Sequence, residues 1–214
     1  MKSYETYIFD LDGTLLNTLD DLYLSTNHAL QVFHQPARTI DEIRRFVGNG
    51  VKKLIERSTP GGEENPLFEQ IFEEFKAYYL LHSEDHTAPY EGIIPLLREL
   101  KQKGKQTAVV SNKFLAATED LCQRLFPGLV DIAIGEHDGV NCKPAPDMVQ
   151  LVMKRLQANP ETTVYVGDSD VDLQTARNSG LPCISVLWGF RDKDFLIKQG
   201  ATVFAEKPED ILAI

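Results

Sequence analysis

The fold of this chain is decided near its start by the stretch Tyr7-Ile8-Phe9-Asp10-Leu11-Asp12-Gly13-Thr14-Leu15-Leu16. The aromatic and β-branched residues at its beginning are typical of a buried parallel strand. Ligands of open α/β sheets bind beyond the carboxyl ends of the strands, and Asp10 and Asp12 follow this strand directly. Because residues two apart in an extended chain point to the same side, the two carboxylates are expected to face one crevice together.

Two carboxylates held this close repel each other unless a cation or a shared proton lies between them. Mg²⁺ binds oxygen ligands of this kind and usually contacts substrate phosphate, so the pair favours a magnesium site. A surface turn capped by two acids is the alternative interpretation. An EF-hand calcium loop does not fit, since it requires a preceding helix and a glycine where this chain has Leu15.

The composition is that of an ordinary globular protein of 214 residues, 43% hydrophobic and 25% charged, which is long enough for one or two domains. The formal net charge of −10 argues against nucleic acid and anionic membranes as partners, because both require basic surfaces. No segment predicts a membrane span or a signal peptide. The three cysteines, Cys122, Cys142 and Cys183, form no CxxC pair, which favours reduced thiols in a cytoplasmic protein.

Two kinds of pattern divide the chain. Residues 17–88 predict successive helices and no strand, including a short helix that begins with a capping box between Thr39 and Glu42. Residues 1–16 and 89–214 alternate strands with helices, which predicts a parallel sheet. After the first strand, further strands are expected at residues 107–111, 131–134, 163–167 and 183–187. The expected fold is therefore α/β, a doubly wound parallel Rossmann-like sheet with an inserted all-helical cap domain.

Polar residues follow the later strands at the same edge of the expected sheet. They are Ser111-Asn112, Lys143-Pro144, and Gly167-Asp168-Ser169 with Asp172. Each has an alternative interpretation: a helix cap for the first, a surface charge for Lys143, and favourable charges at a helix N-terminus for the acids. Together with the two acids after the first strand, these residues supply two sets of groups. The acids suit a metal ion, and the lysine with its neutral hydrogen-bond donors suits an anion. This combination indicates a phosphate site.

These four segments resemble, in order and in strand position, the four motifs of the haloacid dehalogenase superfamily of phosphotransferases. The helical insertion resembles the small cap of one branch of that superfamily. Residues 44–51, 78–79 and 87–92 are similar to those of phosphoglycolate phosphatases. The resemblance implies Mg²⁺-dependent hydrolysis of a small phosphorylated metabolite by a cytoplasmic enzyme, and it leaves a monomer or a homodimer open.

The resemblance also implies catalytic roles. Asp10 would attack phosphorus and form an aspartyl-phosphate, while Asp12 would protonate the leaving alkoxide and later take a proton from water. The implied ligands of Mg²⁺ are Asp10, Asp168 and the backbone carbonyl of Asp12. Asp172 and Ser169 would support these ligands.

The implied substrate contacts come from both parts of the chain. Ser111 and Lys143 would hold the phosphate oxygens, and Lys143 would thereby also act in catalysis. Asn112 and the backbone N–H groups near Gly13 and Thr14 would assist. In the insertion, the contacts to the leaving group are expected from Gly48 and Asn49, with a plain helix break flanked by solvated charges as the alternative.

Other functions fit fewer of these features. A P-loop nucleotidase is disfavoured because the chain has no GxxxxGK[ST]. A phosphosugar mutase, and a pyrophosphatase or nucleotidase on the same scaffold, stay open as alternatives. A phosphoacceptor signalling switch would also place acids, a hydroxyl and a lysine at strand ends, but it has no need of a helical insertion of this length.

Overall fold

The computed structural model describes residues 4–214, and the chain divides into two compact units. One unit is formed by Met1–Leu16 together with Pro89–Ile214, and we call it the core unit. The other is Asn17–Ala88, which we call the helical unit. Within residues 4–214, no helix combines the length and the apolar character that crossing a membrane requires.

The chain begins with β1 (Thr6–Phe9) and β2 (Leu16–Asn17), followed by the helices α1 (Leu19–Val32), α2 (Ile40–Phe46), α3 (Val51–Ser58) and α4 (Phe68–His82). Strands and helices then alternate as β3 (Ala88–Pro89), α5 (Ile93–Gln102), β4 (Gln106–Phe114), α6 (Leu115–Leu125), β5 (Ile132–Glu136), α7 (Asp147–Leu156), β6 (Thr163–Gly167), α8 (Asp170–Asn178), β7 (Cys183–Val186), α9 (Lys193–Lys198) and β8 (Phe204–Ala205). Short 3₁₀ helices occur at Gly62–Glu64, Pro160–Thr162 and Pro208–Leu212.

The six-stranded sheet has the order β5-β4-β1-β6-β7-β8, and its strands pair in parallel. The first strand of the chain is therefore central, with Thr6 opposite both Gln106 and Thr163. Alternate residues of β1 enter different hydrophobic clusters, Phe9 one and Ile8 another, as expected for a strand covered on both faces. The predicted α/β fold with a parallel sheet is confirmed.

β4 extends to Phe114, so the predicted end of this strand at Ser111 was wrong. Its register against β5 shifts between Val110 and Phe114. Gly135 of β5 makes this irregularity possible, because a Cβ atom there would lie 2.5 Å from the carbonyl oxygen of Lys113. The extra residues keep the polar side chains after Val110 inside the protein instead of in a surface turn.

The helical unit contains the predicted capping box, in which Thr39 and Glu42 satisfy each other's backbone N–H groups at the start of α2. The last helix of this unit, α4, begins at Phe68, and Asn65 and Pro66 precede it. The side-chain oxygen of Asn65 accepts a hydrogen bond from the Leu67 N–H at 2.9 Å and closes the turn before this helix. The short strands β2 and β3, which pair with each other, were not predicted.

Candidate active site

A buried lysine lies among the acids at the carboxyl edge of the central strands. The ammonium group of Lys143 is 2.7 Å from Oδ1 of Asp10, which follows β1, and 2.8 Å from Oδ1 of Asp172 in α8. The hydroxyl of Tyr165, in β6, lies 3.2 Å from the same ammonium and donates to Asp172 at 3.0 Å. Burial disfavours the charged ammonium, but the charges of Asp10 and Asp172 outweigh it and raise the pKa of Lys143.

Asp168, which follows β6, is held tightly by its neighbours. Its Oδ2 accepts the backbone N–H of Phe190 at 2.7 Å, and its Oδ1 accepts the hydroxyl of Thr14 at 3.4 Å. A Cβ atom at Gly189 would lie 2.3 Å from the Cβ of Asp168, and one at Gly13, where φ is +86°, would lie 2.6 Å from its Oδ2. The carboxylate therefore occupies a space that exists because both neighbours are glycines.

The acids of this site carry more negative charge than the lysine balances. Ligand atoms of Asp10, Asp168 and Asp172 all lie within 4.8 Å of one another, and among residues 4–214 no other group of acidic, histidine or cysteine side chains meets that criterion. Burial, and then the charge of Asp172, raise the pKa of Asp10 well above its ordinary value. The same two causes raise the pKa of Asp168 to about 7. A cluster of buried oxygen ligands that needs added positive charge fits a hard divalent cation such as Mg²⁺.

Asp172 supports the site from the first turn of α8. Its Oδ2 accepts the backbone N–H of Ser169 at 3.1 Å and the Ser169 hydroxyl at 2.6 Å, and this capping box leaves Oδ1 for Lys143 and Tyr165. At Gly167 a Cβ atom would lie 2.3 Å from the Cβ of Asp172. Asp172 is therefore both an acid in the first turn of a helix, as its alternative interpretation had it, and a member of the acid cluster.

Asp12 faces a second buried lysine that the sequence analysis did not single out. The ammonium of Lys113 lies 3.1 Å from Oδ1 and 3.4 Å from Oδ2 of Asp12. The side chain of Lys113 is 2% exposed and that of Asp12 is 16% exposed. In the core unit, the nucleophile candidate and the acid–base candidate thus each contact a lysine of their own.

Ser111 and Asn112 lie within the extended part of β4. The amide of Asn112 contacts the backbone of Lys143 twice: its oxygen accepts the Lys143 N–H at 2.7 Å, and its nitrogen donates to the Lys143 carbonyl at 3.0 Å. This pair of bonds fixes the segment that carries the lysine. The Ser111 oxygen accepts the backbone N–H of Lys113 at 3.2 Å, which leaves its own proton for another acceptor.

The loop after β1 uses some of the donors that were expected to contact substrate. The Gly13 N–H donates to the Leu16 carbonyl at 2.8 Å, and the Thr14 N–H is 3.3 Å from the Leu11 carbonyl. The hydroxyl of Thr14 donates to Asp168. These bonds give Gly13 and Thr14 a place in shaping the loop, and their contact with substrate phosphate stays a prediction.

Gly48 and Asn49 lie between α2 and α3 in the helical unit. Arg57 donates to the side-chain oxygen of Asn49 at 2.8 Å and to the Phe46 carbonyl at 2.6 Å, so it braces the segment from both sides. The Gly48 φ of +124° belongs to a conformation that favours glycine. That Gly48 and Asn49 contact the leaving group stays a prediction.

Sequence reasoning missed Lys113, Tyr165 and the backbone N–H of Phe190. The signal for Lys113 was its position two residues after Ser111 in an extended chain, which places both on one side. No signal marked Tyr165, because β6 is buried throughout and carries no alternation that shows which residue meets the acids. For the backbone N–H of Phe190, the sequence signal was the preceding Gly189, since a glycine lets a backbone approach another group closely.

Over most of its length the chain is similar to known hydrolases. Residues 7–186 match the family model described as haloacid dehalogenase-like hydrolase. A phosphoglycolate phosphatase of Rhodobacter capsulatus is 33% identical over 188 residues, which cover 86% of this chain and 84% of that protein. Pyrophosphatase PpaX of Anoxybacillus flavithermus is 26% identical and aligns over 98% of this chain and 95% of its own length. The crystal structure of a protein of Lactobacillus delbrueckii subsp. bulgaricus, proposed to be a phosphoglycolate phosphatase, has a TM-score of 0.94 at 38% identity and covers 98% of this chain and 97% of its own.

Proposed function

The chain belongs to the haloacid dehalogenase-like hydrolases and is a phosphatase, and we propose that it hydrolyses a small phosphate monoester through Asp10. The observation that carries this proposal is the ammonium of Lys143, held 2.7 Å from Asp10 and 2.8 Å from Asp172 in a cluster with Asp168. A nucleophile, a fixed positive charge and oxygen ligands for a cation then lie within one buried site. Phosphoglycolate is the first substrate to test, because relatives at 30–33% identity bear the name phosphoglycolate phosphatase.

Asp10 performs the first half of the proposed reaction. One of its carboxylate oxygens bonds to phosphorus, the bond from phosphorus to the leaving oxygen breaks, and Asp12 gives its proton to that oxygen, so an alcohol departs. Lys143 stabilises the negative charge of the phosphoryl oxygens next to Asp10, and Ser111 donates its free proton to one of them. The amide of Asn112 acts on this step by holding the backbone of Lys143.

Asp12 begins the second half. Its carboxylate takes a proton from a water molecule, the water oxygen bonds to phosphorus, and the bond from phosphorus to Asp10 breaks. Inorganic phosphate leaves, Asp10 is again a carboxylate, and Asp12 again carries the proton that the next alcohol needs. The two halves therefore balance, and the chain is returned to its starting state.

The acid cluster supports a Mg²⁺ site as part of this proposal. Asp10, Asp168 and the backbone carbonyl of Asp12 would hold the ion, with Asp172 and Ser169 fixing the surroundings of these ligands. When bound, the ion would neutralise phosphoryl charge and favour the ionised form of Asp10 against the burial that raises its pKa.

The test is release of inorganic phosphate from a panel of phosphoglycolate, pyrophosphate and hexose phosphates, with and without Mg²⁺. Asp10→Asn should lose at least about 10⁴-fold in turnover, the scale on which loss of a nucleophile acts. The matched control is Asp120→Asn, which removes an exposed carboxylate that pairs with Arg124 on α6. Turnover by Asp10→Asn that equals that of the control would refute the assignment of the nucleophile.

The same panel separates the alternatives. Pyrophosphate hydrolysis is the second candidate function, because pyrophosphatase PpaX aligns over nearly the whole chain. A mutase would interconvert sugar phosphates without net release of phosphate, and a signalling switch would take up a single phosphoryl group. We assign the choice of leaving group to the helical unit, with Gly48 and Asn49 as the proposed contacts.

A further inference from the structure

Lys113 is a buried cation to which the proposed mechanism gives no task. Its side chain is 2% exposed, and long charged side chains are almost never this buried unless they are paired. Its ammonium contacts both carboxylate oxygens of Asp12, at 3.1 and 3.4 Å. Among residues 4–214, Lys143 is the other lysine with a comparably buried side chain, and its acids are Asp10 and Asp172.

The backbone of Lys113 is fixed on both sides. Its N–H donates to the Ser111 hydroxyl oxygen at 3.2 Å, and its carbonyl accepts the Thr118 hydroxyl at 3.3 Å. The register shift of β4 occurs at this point, and Gly135 lets the neighbouring strand approach within a distance that any side chain would prevent. The position of this ammonium is therefore built into the sheet and does not depend on a mobile surface side chain.

We propose that Lys113 is a positioning residue, which holds the carboxylate of Asp12 in the orientation from which it exchanges protons with the leaving alcohol and with water. The inference rests on the proposed role of Asp12. Exposure separates the two partners: Asp12 is 16% exposed and can reach a reacting group, while Lys113 lies behind it at 2%. Without this contact the carboxyl group of Asp12 would populate several rotamers, and an ammonium that donates to its oxygens, in the ionised or the protonated state, selects one of them.

The test compares two esters in rapid-mixing experiments with Mg²⁺. An alkyl phosphate such as phosphoglycolate needs a proton on its leaving oxygen, whereas 4-nitrophenyl phosphate leaves as a stable phenolate and does not. Lys113→Met keeps most of the side-chain length and removes the charge. Lys105→Met is the matched control, since it removes a lysine that pairs with the exposed Glu5 outside the site.

In Lys113→Met, the first turnover of the alkyl phosphate should slow by about 100-fold or more, the usual lower range for general acid catalysis. The first-turnover release of 4-nitrophenol should stay within about threefold of the wild-type rate. The later steady-state rate should fall for both esters, because Asp12 also deprotonates the attacking water. The ratio of the two first-turnover rates within one sample does not depend on how much of the variant is folded, so it also detects the effect in a destabilised variant.

A double-mutant comparison shows whether Lys113 acts through Asp12. In an Asp12→Asn background, adding Lys113→Met should slow the alkyl phosphate by less than about threefold, because the partner has already lost its function. The inference would be overturned if Lys113→Met slowed both esters equally at the first turnover. It would also be overturned if Lys113→Met slowed the alkyl phosphate by about 100-fold in the Asp12→Asn background as well. An Asp12→Asn variant that hydrolyses the alkyl phosphate at the wild-type rate would instead overturn the proposed role of Asp12 itself.

Discussion

The acid cluster predicts that the Mg²⁺-free protein becomes less stable as the pH rises from 5 to 8. The pKa of Asp168 is raised in the folded protein from 3.8 to about 7, so folding takes up a proton in this range. A carboxyl group of this kind stabilises the fold below pH 3.8, and the contribution is lost as the pH rises towards 7. The pKa of Asp10 is raised too, which adds an effect of the same sign.

The magnitude follows from the shift. Between pH 5 and about 7, folded Asp168 holds a proton that unfolded Asp168 has lost, and each pH unit of this difference changes the free energy of unfolding by about 1.4 kcal/mol. Asp168 alone therefore lowers the free energy of unfolding by about 2–3 kcal/mol between pH 5 and pH 8. Asp168→Asn carries no titrating group and should lack this component. The variant should therefore gain stability relative to the wild type as the pH rises, although it removes a proposed ligand of Mg²⁺.

The measurement is urea unfolding at several pH values between 5 and 8 in the presence of EDTA, repeated with excess Mg²⁺. At the proposed site Mg²⁺ would bind the ionised carboxylates, so it should restore the stability of the wild type most strongly at pH 8. Asp120→Asn, at an exposed position, should follow the wild type at every pH. A constant difference between the wild type and Asp168→Asn from pH 5 to pH 8 would refute the reasoning.

Three further predictions concern single side chains. Gly189→Ala should lower turnover at least about 100-fold, because the new Cβ would lie 2.3 Å from the Cβ of Asp168 and would displace that side chain. A displacement of about 1 Å in a catalytic site costs about this factor. Steady-state kinetics measure the loss, and a thermal melt shows whether the variant is folded. Thr39→Ala removes a capping box and should destabilise the protein by about 1 kcal/mol without changing kcat, as measured by urea unfolding. Burial, and then nearby acids, raise the pKa of Cys122 to about 12, so little reactive thiolate is present at pH 8. Mass spectrometry should therefore find Cys122 unalkylated by iodoacetamide in the native protein at pH 8 and alkylated in urea.

The sequence predicts that the residues of the candidate site lie close together, because this depends on local rules. Asp10, Lys143 and Asp168 follow strands, and the ends of neighbouring parallel strands meet at one edge of a sheet. The capping box at Thr39 is likewise decided by residues three apart. The order of the strands, by contrast, depends on which distant segments pair, and no local pattern encodes it.

The parts that were missed depend on tertiary neighbours. Lys113 follows a serine and an asparagine that suggest a helix cap, so its burial appears only when β4 is seen to continue past Ser111. In the sequence, Gly167 ends one expected strand and Gly189 follows another, and neither position shows why a glycine is needed. Their requirement comes from acids that are close to them in space, with Asp168 leaving no room for a side chain at Gly189.

The central place of β1 has a consequence for synthesis of the chain. Thr6 of β1 pairs with Gln106, which is translated 100 residues later, and with Thr163, which is translated later still. Both edges of β1 are therefore paired only after Thr163 has been made. At about 5–20 residues per second, the first partner is translated roughly 5–20 s after the strand itself. During that interval an apolar strand with open edges is exposed to other nascent chains, while the helical unit, which needs only its own contiguous segment, can already form.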